Sequence, residues 1–109
     1  MLIESEIQGD QLLVEIRESR LESSISSEFH EYVKKKAPEG IKTLVLNFEA
    51  LNFIDSSGLG AIVAIKKHLP TEVDIRICCS DANVLNIFKL TRMDQVFNFY
   101  DTTQLALAA

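Results

Sequence analysis

Residues that could take part in chemistry are concentrated in one short stretch, Asp55 to Gly60, which reads Asp-Ser-Ser-Gly-Leu-Gly. An apolar segment ends just before Asp55, and apolar residues at helical spacing follow from Leu59. A helix that begins here leaves its first backbone N–H groups unpaired, close to the hydroxyls of Ser56 and Ser57. Helix starts attract anions, so an oxyanion on one of these serines could be stabilised there.

The same residues also have a purely structural interpretation. Asp55 or Ser56 could cap the helix, and the missing side chain at Gly58 would leave room for an approaching group. The residue pattern alone leaves both interpretations open, a helix cap and a serine that can be modified.

Catalytic interpretations fit the sequence poorly. A nucleophile elbow needs a glycine two residues before its serine, where Ser56 has Ile54. The two histidines, His30 and His68, fall at polar or helix-end positions, where we expect surface or capping roles. The dinucleotide fingerprint lacks its third glycine, and no phosphate-loop lysine follows. A small serine hydrolase using Ser56 is kept as a remote alternative; we expect no catalytic residue and no metal site.

Strand and helix patterns alternate along the chain. Alternating apolar residues around a turn at Gly9 and Asp10 predict an N-terminal hairpin. Helical spacing follows from Leu21 to Val33, with Ser23 or Ser24 as the cap. Further strands are predicted at 41–48, 73–77 and 96–100, and further helices at 59–69, from 80 or 81, and near 105. The order ββαβαβαβα predicts an α/β fold, a single domain over residues 1–109 with a mixed, mostly parallel β-sheet and helices packed on it.

Charge and composition exclude several classes of partner. The 109 residues carry a net charge of -5, so we expect no nucleic acid partner. The basic run Lys34 to Lys36 is interpreted as a solvated helix end. No apolar run is long enough to cross a bilayer and no signal peptide pattern is present, so we expect no membrane insertion and a cytoplasmic location. Cys78 and Cys79 lack metal or redox spacing and are expected to be buried thiols.

The motif Asp55 to Gly60 follows an apolar strand, Leu44 to Phe48, in a chain of this length and element order. This combination resembles STAS domains, and among them the bacterial anti-sigma factor antagonists, over essentially the whole chain. The resemblance implies that Ser56, directly after the motif aspartate, is a phosphoacceptor, with Ser57 less favoured. It also implies that Asp55, Ser57 and Gly58 present Ser56 and accommodate its phosphate.

The resemblance further implies a partner-switching circuit. Unphosphorylated family members bind a serine kinase of the small ATPase type that doubles as an anti-sigma factor. Phosphorylation releases the complex, and a PP2C-type serine phosphatase restores binding. ATP belongs to the kinase, so this chain would be a substrate and ligand rather than an enzyme, with no cofactor of its own.

The expected partner surface combines the start of the first helix, the motif loop and the exposed face of the second helix. Family members tend to carry a glycine, an apolar residue and an aspartate before the first helix; here Glu22 stands at the aspartate position and the glycine is missing. Leu59 fits either a core or a contact position, and Asn47 is expected to satisfy loop backbone. The predicted contact residues are Glu22, Ser23, Ser24, Asp55, Ser56, Ser57, Gly58 and Leu59.

A phosphate on Ser56 is expected to act locally. The helix N-terminus attracts an anion by about 0.3 to 1 kcal/mol, while the charge of Asp55 repels it. Screening at an exposed loop keeps this repulsion small, so the fold should survive. Burying an unpaired charge in an interface costs several kcal/mol, which would release a partner. The alternative within the family is a STAS adaptor that works without phosphorylation, in a transport or other signalling complex.

Overall fold

Seven strands and four helices form along the chain, and the computed structural model describes residues 1–109. In chain order the elements are β1 (Ile3–Gln8), β2 (Gln11–Ile16), β3 (Arg20–Leu21), α1 (Ser23–Lys36), β4 (Thr43–Asn47), β5 (Phe53–Ile54), α2 (Ser56–His68), β6 (Asp74–Cys78), α3 (Ala82–Leu90), a 3₁₀ turn (Met93–Gln95), β7 (Asn98–Tyr100) and α4 (Thr103–Ala108).

The first two strands form the predicted hairpin. They pair antiparallel, with Ile3 opposite Ile16 and Gln8 opposite Gln11. The tight connection needs a positive φ at its first residue, which Gly9 supplies at 63°. The hairpin thereby sets the register with which β2 joins the rest of the sheet.

The main sheet has the strand order β1-β2-β4-β6-β7, and every pair after the hairpin is parallel. β4 lies at its centre and is buried at all five positions, as its lack of alternation predicted. The α/β class and the mixed, mostly parallel sheet are therefore confirmed.

Helices cover the two faces of the sheet unequally. One face packs on α1, α2 and α3 in a core of 23 buried residues, where Phe29 and Phe48 have ring centroids 5.8 Å apart. On the other face, Ala106 of α4 packs against Val45 and Cys78. Both cysteines are free and buried, and Lys34 to Lys36 form the last turn of α1, as predicted. None of the four helices is long and apolar enough to cross a bilayer.

Two differences from the predicted elements concern the site. The predicted order omitted β3 and β5, which are two residues long and form a separate parallel sheet. The second helix begins at Ser56, three residues before the Leu59 start given by its apolar spacing. Strands this short carry no detectable alternation, and the polar first turn of α2 carries no apolar periodicity.

Candidate functional site at two adjoining helix starts

The small sheet brings two helix starts together. Arg20 of β3 pairs with Phe53 of β5, and Leu21 pairs with Ile54. Each strand runs directly into a helix through an acidic residue and two serines, so the segments 20–24 and 53–57 have matching layouts. We call these two segments together the paired junction. The N-termini of α1 and α2 therefore adjoin at one place on the surface.

The carboxylate of Asp55 caps both helices of the paired junction. Its Oδ1 accepts a hydrogen bond from the backbone N–H of Gly58 at 2.9 Å, within its own helix. Its Oδ2 accepts one from the N–H of Ser23 at 3.2 Å, at the start of α1. Of the two caps considered for α2, Asp55 is thus the one observed, and it also takes a role in α1 that the sequence pattern did not indicate.

The predicted cap of α1 is wrong. The cap residue is Glu22 rather than Ser23 or Ser24, and its side chain makes no capping bond. The carbonyl of Glu22 instead accepts bonds from the N–H of Ser26 and, at 2.7 Å, from its hydroxyl. β3, which the pattern did not indicate, ends at Leu21, and α1 begins at Ser23, so Ser23 is the first helical residue rather than the cap.

The side chain of Glu22 turns outward into an exposed cluster. Its Oε2 accepts a bond from the Nε of Arg20 at 3.2 Å. The guanidinium of Arg20 stacks over the ring of Phe53, 3.9 Å from the ring centroid. Sequence reasoning missed Arg20 and Phe53, because only the pairing of β3 with β5 brings them together.

Ser56 and Ser57 are the first two residues of α2, and both are exposed. Their backbone N–H groups make no hydrogen bond within the chain, whereas those of Gly58 and Leu59 bond to Asp55. The helix therefore presents two free donors and two free hydroxyls at its positive end. This arrangement suits a serine that is accessible to a modifying enzyme and tolerates an anion.

Gly58 has a different reason for being glycine from the one predicted. It is buried, and a Cβ at this position would lie 2.5 Å from the carbonyl oxygen of Leu21 and 2.8 Å from Cγ1 of Ile54. The missing side chain thus allows β3 and β5 to approach the helix, rather than making room for a group from outside.

The other predicted site residues are placed as follows. Leu59 is partly buried and packs against the core. It therefore contributes to the core and still exposes part of its side chain to a partner. Ser24 is exposed, one residue beyond the Ser23 N–H that Asp55 binds. Asn47 Oδ1 accepts a hydrogen bond from the N–H of Glu49 at 3.0 Å, which confirms the prediction that Asn47 hydrogen-bonds the loop backbone.

A groove between the starts of α1 and α2 holds the one histidine near the paired junction. His30 is partly buried rather than on the surface as predicted, and its Nε2 has no hydrogen-bond partner. The groove, of about 290 Å³, is lined by Ser23, Ser26, Ser27, His30, Ser57 and Ala61. His68 lies at the opposite end of α2 from Ser56. No three His, Cys, Asp or Glu side chains are grouped so that they could hold a metal ion.

Known proteins share the fold of this chain. Residues 3–106 match the family model of the STAS domain. The structure is similar to that of an anti-sigma factor antagonist from Mycobacterium paratuberculosis, with a TM-score of 0.85 and 19% identity over 98% of this chain and 92% of that one.

Two further solved proteins share the fold. The anti-sigma factor antagonist SpoIIAA in its unphosphorylated form gives a TM-score of 0.78 and 16% identity over 97% of this chain and 93% of that one. Its phosphorylated form, from Bacillus, gives 0.68 and 15% over 98% and 97%. A sulfate transporter family protein from Wolinella succinogenes gives 0.75 and 14% over 94% and 86%. Because the family model matches nearly the whole chain, this protein belongs to the STAS domain family.

Proposed function

We propose that the protein is a phosphorylation-regulated anti-sigma factor antagonist with Ser56 as the phosphoacceptor. The observation that carries this proposal is the position of Ser56, exposed as the first residue of α2 and directly after the capping Asp55. Support also comes from the similar folds of anti-sigma factor antagonists, one of which, SpoIIAA, is known in a phosphorylated form.

The proposed partner is a serine kinase of the small ATPase type that also acts as an anti-sigma factor. It transfers the γ-phosphoryl group of its own ATP to Ser56: a bond forms between Oγ and phosphorus, the bond to the ADP oxygen breaks, and the hydroxyl proton passes to a base of the kinase. A PP2C-type phosphatase returns Ser56 to its free hydroxyl. The chain itself supplies the substrate hydroxyl and the docking surface.

The docking surface consists of the paired junction and the exposed side of α2. Glu22, Ser23 and Ser24 contribute from α1, and Asp55 and the residues after it contribute from α2. Buried Gly58 acts within this surface by packing rather than by contact. The kinase must reach Ser56 to phosphorylate it, so the serine and its neighbours lie inside the interface.

A phosphate disrupts this interface by charge and volume. It adds about 1.5 to 2 negative charges at neutral pH. Both oxygens of Asp55 are already engaged, so that carboxylate stays beside the new anion and repels it. A burial penalty of several kcal/mol corresponds to more than a hundredfold loss of affinity, since about 1.4 kcal/mol changes affinity tenfold.

Phosphopeptide mapping tests the acceptor. The wild-type chain, Ser56→Ala and Ser57→Ala are each incubated with labelled ATP and a serine kinase of the small ATPase type from the same organism. We expect label on the wild type and on Ser57→Ala, and none on Ser56→Ala. Ser57→Ala is a matched control, because Ser57 is exposed in the same helix turn. Label that persists on Ser56→Ala would contradict the proposal.

Calorimetry tests the release. The kinase should bind the unmodified chain about a hundredfold more tightly, or better, than the chain phosphorylated at Ser56. Binding of the two forms within a factor of two would contradict a local phosphate switch.

A second candidate function is a STAS adaptor that works without phosphorylation. The similarity to a sulfate transporter family protein favours keeping it. This candidate predicts that the wild-type chain takes up no label in the mapping experiment while it still binds its partner.

A further inference from the structure

Arg20 is the only lysine or arginine in the segments that form the paired junction and its surroundings, residues 18–27 and 49–61. The same two segments hold four acidic residues, Glu18, Glu22, Glu49 and Asp55, of which Glu22 is paired with Arg20. The basic residues of α1 and α2 lie in their last turns, at the far end from the junction. Within these two segments Arg20 is therefore the one cation available to an anion on Ser56.

The present contacts of Arg20 leave it free to exchange partners. Its ion pair with Glu22 joins side chains that are 51% and 34% exposed. Ion pairs this exposed are weak. The stacking on Phe53 orients the guanidinium on the surface without using its hydrogen-bond donors. A stronger anion close by would therefore compete well with Glu22.

The strand register places Arg20 within reach of Ser56. Arg20 pairs with Phe53, and the next carbonyl along β3, that of Leu21, accepts the N–H of Asp55 at 3.2 Å. Ser56 follows three residues after Phe53, about 10 Å along the chain at the usual strand rise. An arginine side chain and a phosphoserine side chain that extend toward each other can together span a gap of this length.

We propose that Arg20 binds the phosphate of phosphorylated Ser56 and gives up Glu22 to do so. This inference rests on the proposed function of Ser56. A guanidinium binds phosphate through two parallel hydrogen bonds, and a phosphate dianion is a stronger acceptor than one exposed carboxylate.

The exchange would alter the docking surface beyond Ser56 itself. Glu22 loses its counter-charge and Phe53 loses the guanidinium that covers it. The patch next to the phosphate then carries an unpaired carboxylate, so part of the unpaired charge that a partner must bury moves from Ser56 to Glu22. The phosphate thus changes the junction at α1 as well as at α2.

Nuclear magnetic resonance on the chain carrying phosphoserine at position 56, incorporated during translation, tests the proposal without any kinase. The chain has four arginines, so their side-chain Nε–H signals can be assigned individually. In the unmodified chain, ring current from Phe53 should shift the Arg20 Nε–H signal upfield. We expect phosphorylation to move that signal downfield and to leave the Arg17 signal in place.

Arg17 provides the matched control. It is 54% exposed and also paired with carboxylates, Glu4 and Glu15, and its removal changes net charge equally. Arg20 should hold the phosphate pKa of the phosphorylated wild type below that of a phosphorylated chain without this arginine. Arg20→Gln should raise it by about 0.2 to 0.7 of a pH unit, and Arg17→Gln should leave it unchanged.

An Arg20 signal that phosphorylation does not move, or equal phosphate pKa values in the wild type and Arg20→Gln, would overturn the inference. Either result would leave Ser56 standing as a phosphoacceptor. The proposed function would fail separately, in the mapping experiment.

Discussion

Asp55 Oδ2 lies 3.2 Å from the backbone nitrogen of Ser23, a residue 32 positions earlier in the chain. The other oxygen of the same carboxylate binds the N–H of Gly58. One side chain therefore closes the first turns of two helices that meet through the short strands β3 and β5. The acidic residue before Ser56 is thus a structural member of the junction and also the charge nearest in sequence to the proposed phosphate.

Replacement of Asp55 should cost more stability than loss of an ordinary cap. Asp55→Ala removes acceptors from two helix starts, and we expect a loss of about 1 to 3 kcal/mol in the free energy of unfolding, measured in urea. Asp81→Ala is the control, because Asp81 caps only α3, through the N–H of Val84 at 3.0 Å. Its expected loss is about 0.5 to 2 kcal/mol. If Asp55→Ala lost no more than Asp81→Ala, the double cap would have no energetic effect.

Alanine at the two glycines of α2 should have opposite effects. Gly58→Ala places a Cβ 2.5 Å from the Leu21 carbonyl, which cannot move without shifting β3. Overpacking of this kind costs about 1 to 3 kcal/mol. Gly60 has no atom within 4 Å of its Cβ position, so Gly60→Ala should gain about 0.5 to 1 kcal/mol from helix propensity. Thermal unfolding of both variants distinguishes the effects, and a stabilised Gly58→Ala would show that β3 yields easily.

Glu22→Asp should stabilise the protein. The Glu22 side chain makes no cap bond, and the N–H of Ser24 has no partner in the chain. A shorter carboxylate at the cap position can accept from that N–H, a bond worth about 0.5 to 2 kcal/mol, against the weak exposed pair with Arg20 that it gives up. Glu22→Ala, which loses the pair and gains no cap, is the control. The expectation fails if urea unfolding finds Glu22→Asp no more stable than the wild type.

The sequence predicted those parts of the fold that depend on local periodicity. The hairpin around Gly9, the fully buried β4 and the helix ending in Lys34 to Lys36 each follow from residues close together in the chain. Asp55 was likewise among the local caps considered for α2. These features need no knowledge of the tertiary structure.

The remaining features of the site depend on contacts between distant segments. Ser23 looked like a cap because serine favours that position, but its N–H is bound by Asp55 from across the junction. Arg20 meets Phe53 only because β3 and β5 pair, and strands of two residues have no pattern to detect. The predicted reason for a glycine at position 58 was also wrong, because it too depends on the small sheet. The atoms that exclude a side chain there belong to Leu21 of β3 and Ile54 of β5.

The buried thiols should make stability fall in alkaline solution. Burial is the main cause that raises the pKa of Cys78 and of Cys79 above the ordinary 9.0. The thiols ionise at a lower pH in the unfolded chain than in the folded one. The stability that they contribute is therefore fully present below pH 9.0 and is lost as the pH rises through their higher folded-state pKa values. Urea unfolding at about pH 8 and pH 10 should show a larger loss for the wild type than for the double variant Cys78→Ala with Cys79→Ala. Equal losses would mean that ionisation of these thiols does not cause the loss of stability in alkaline solution.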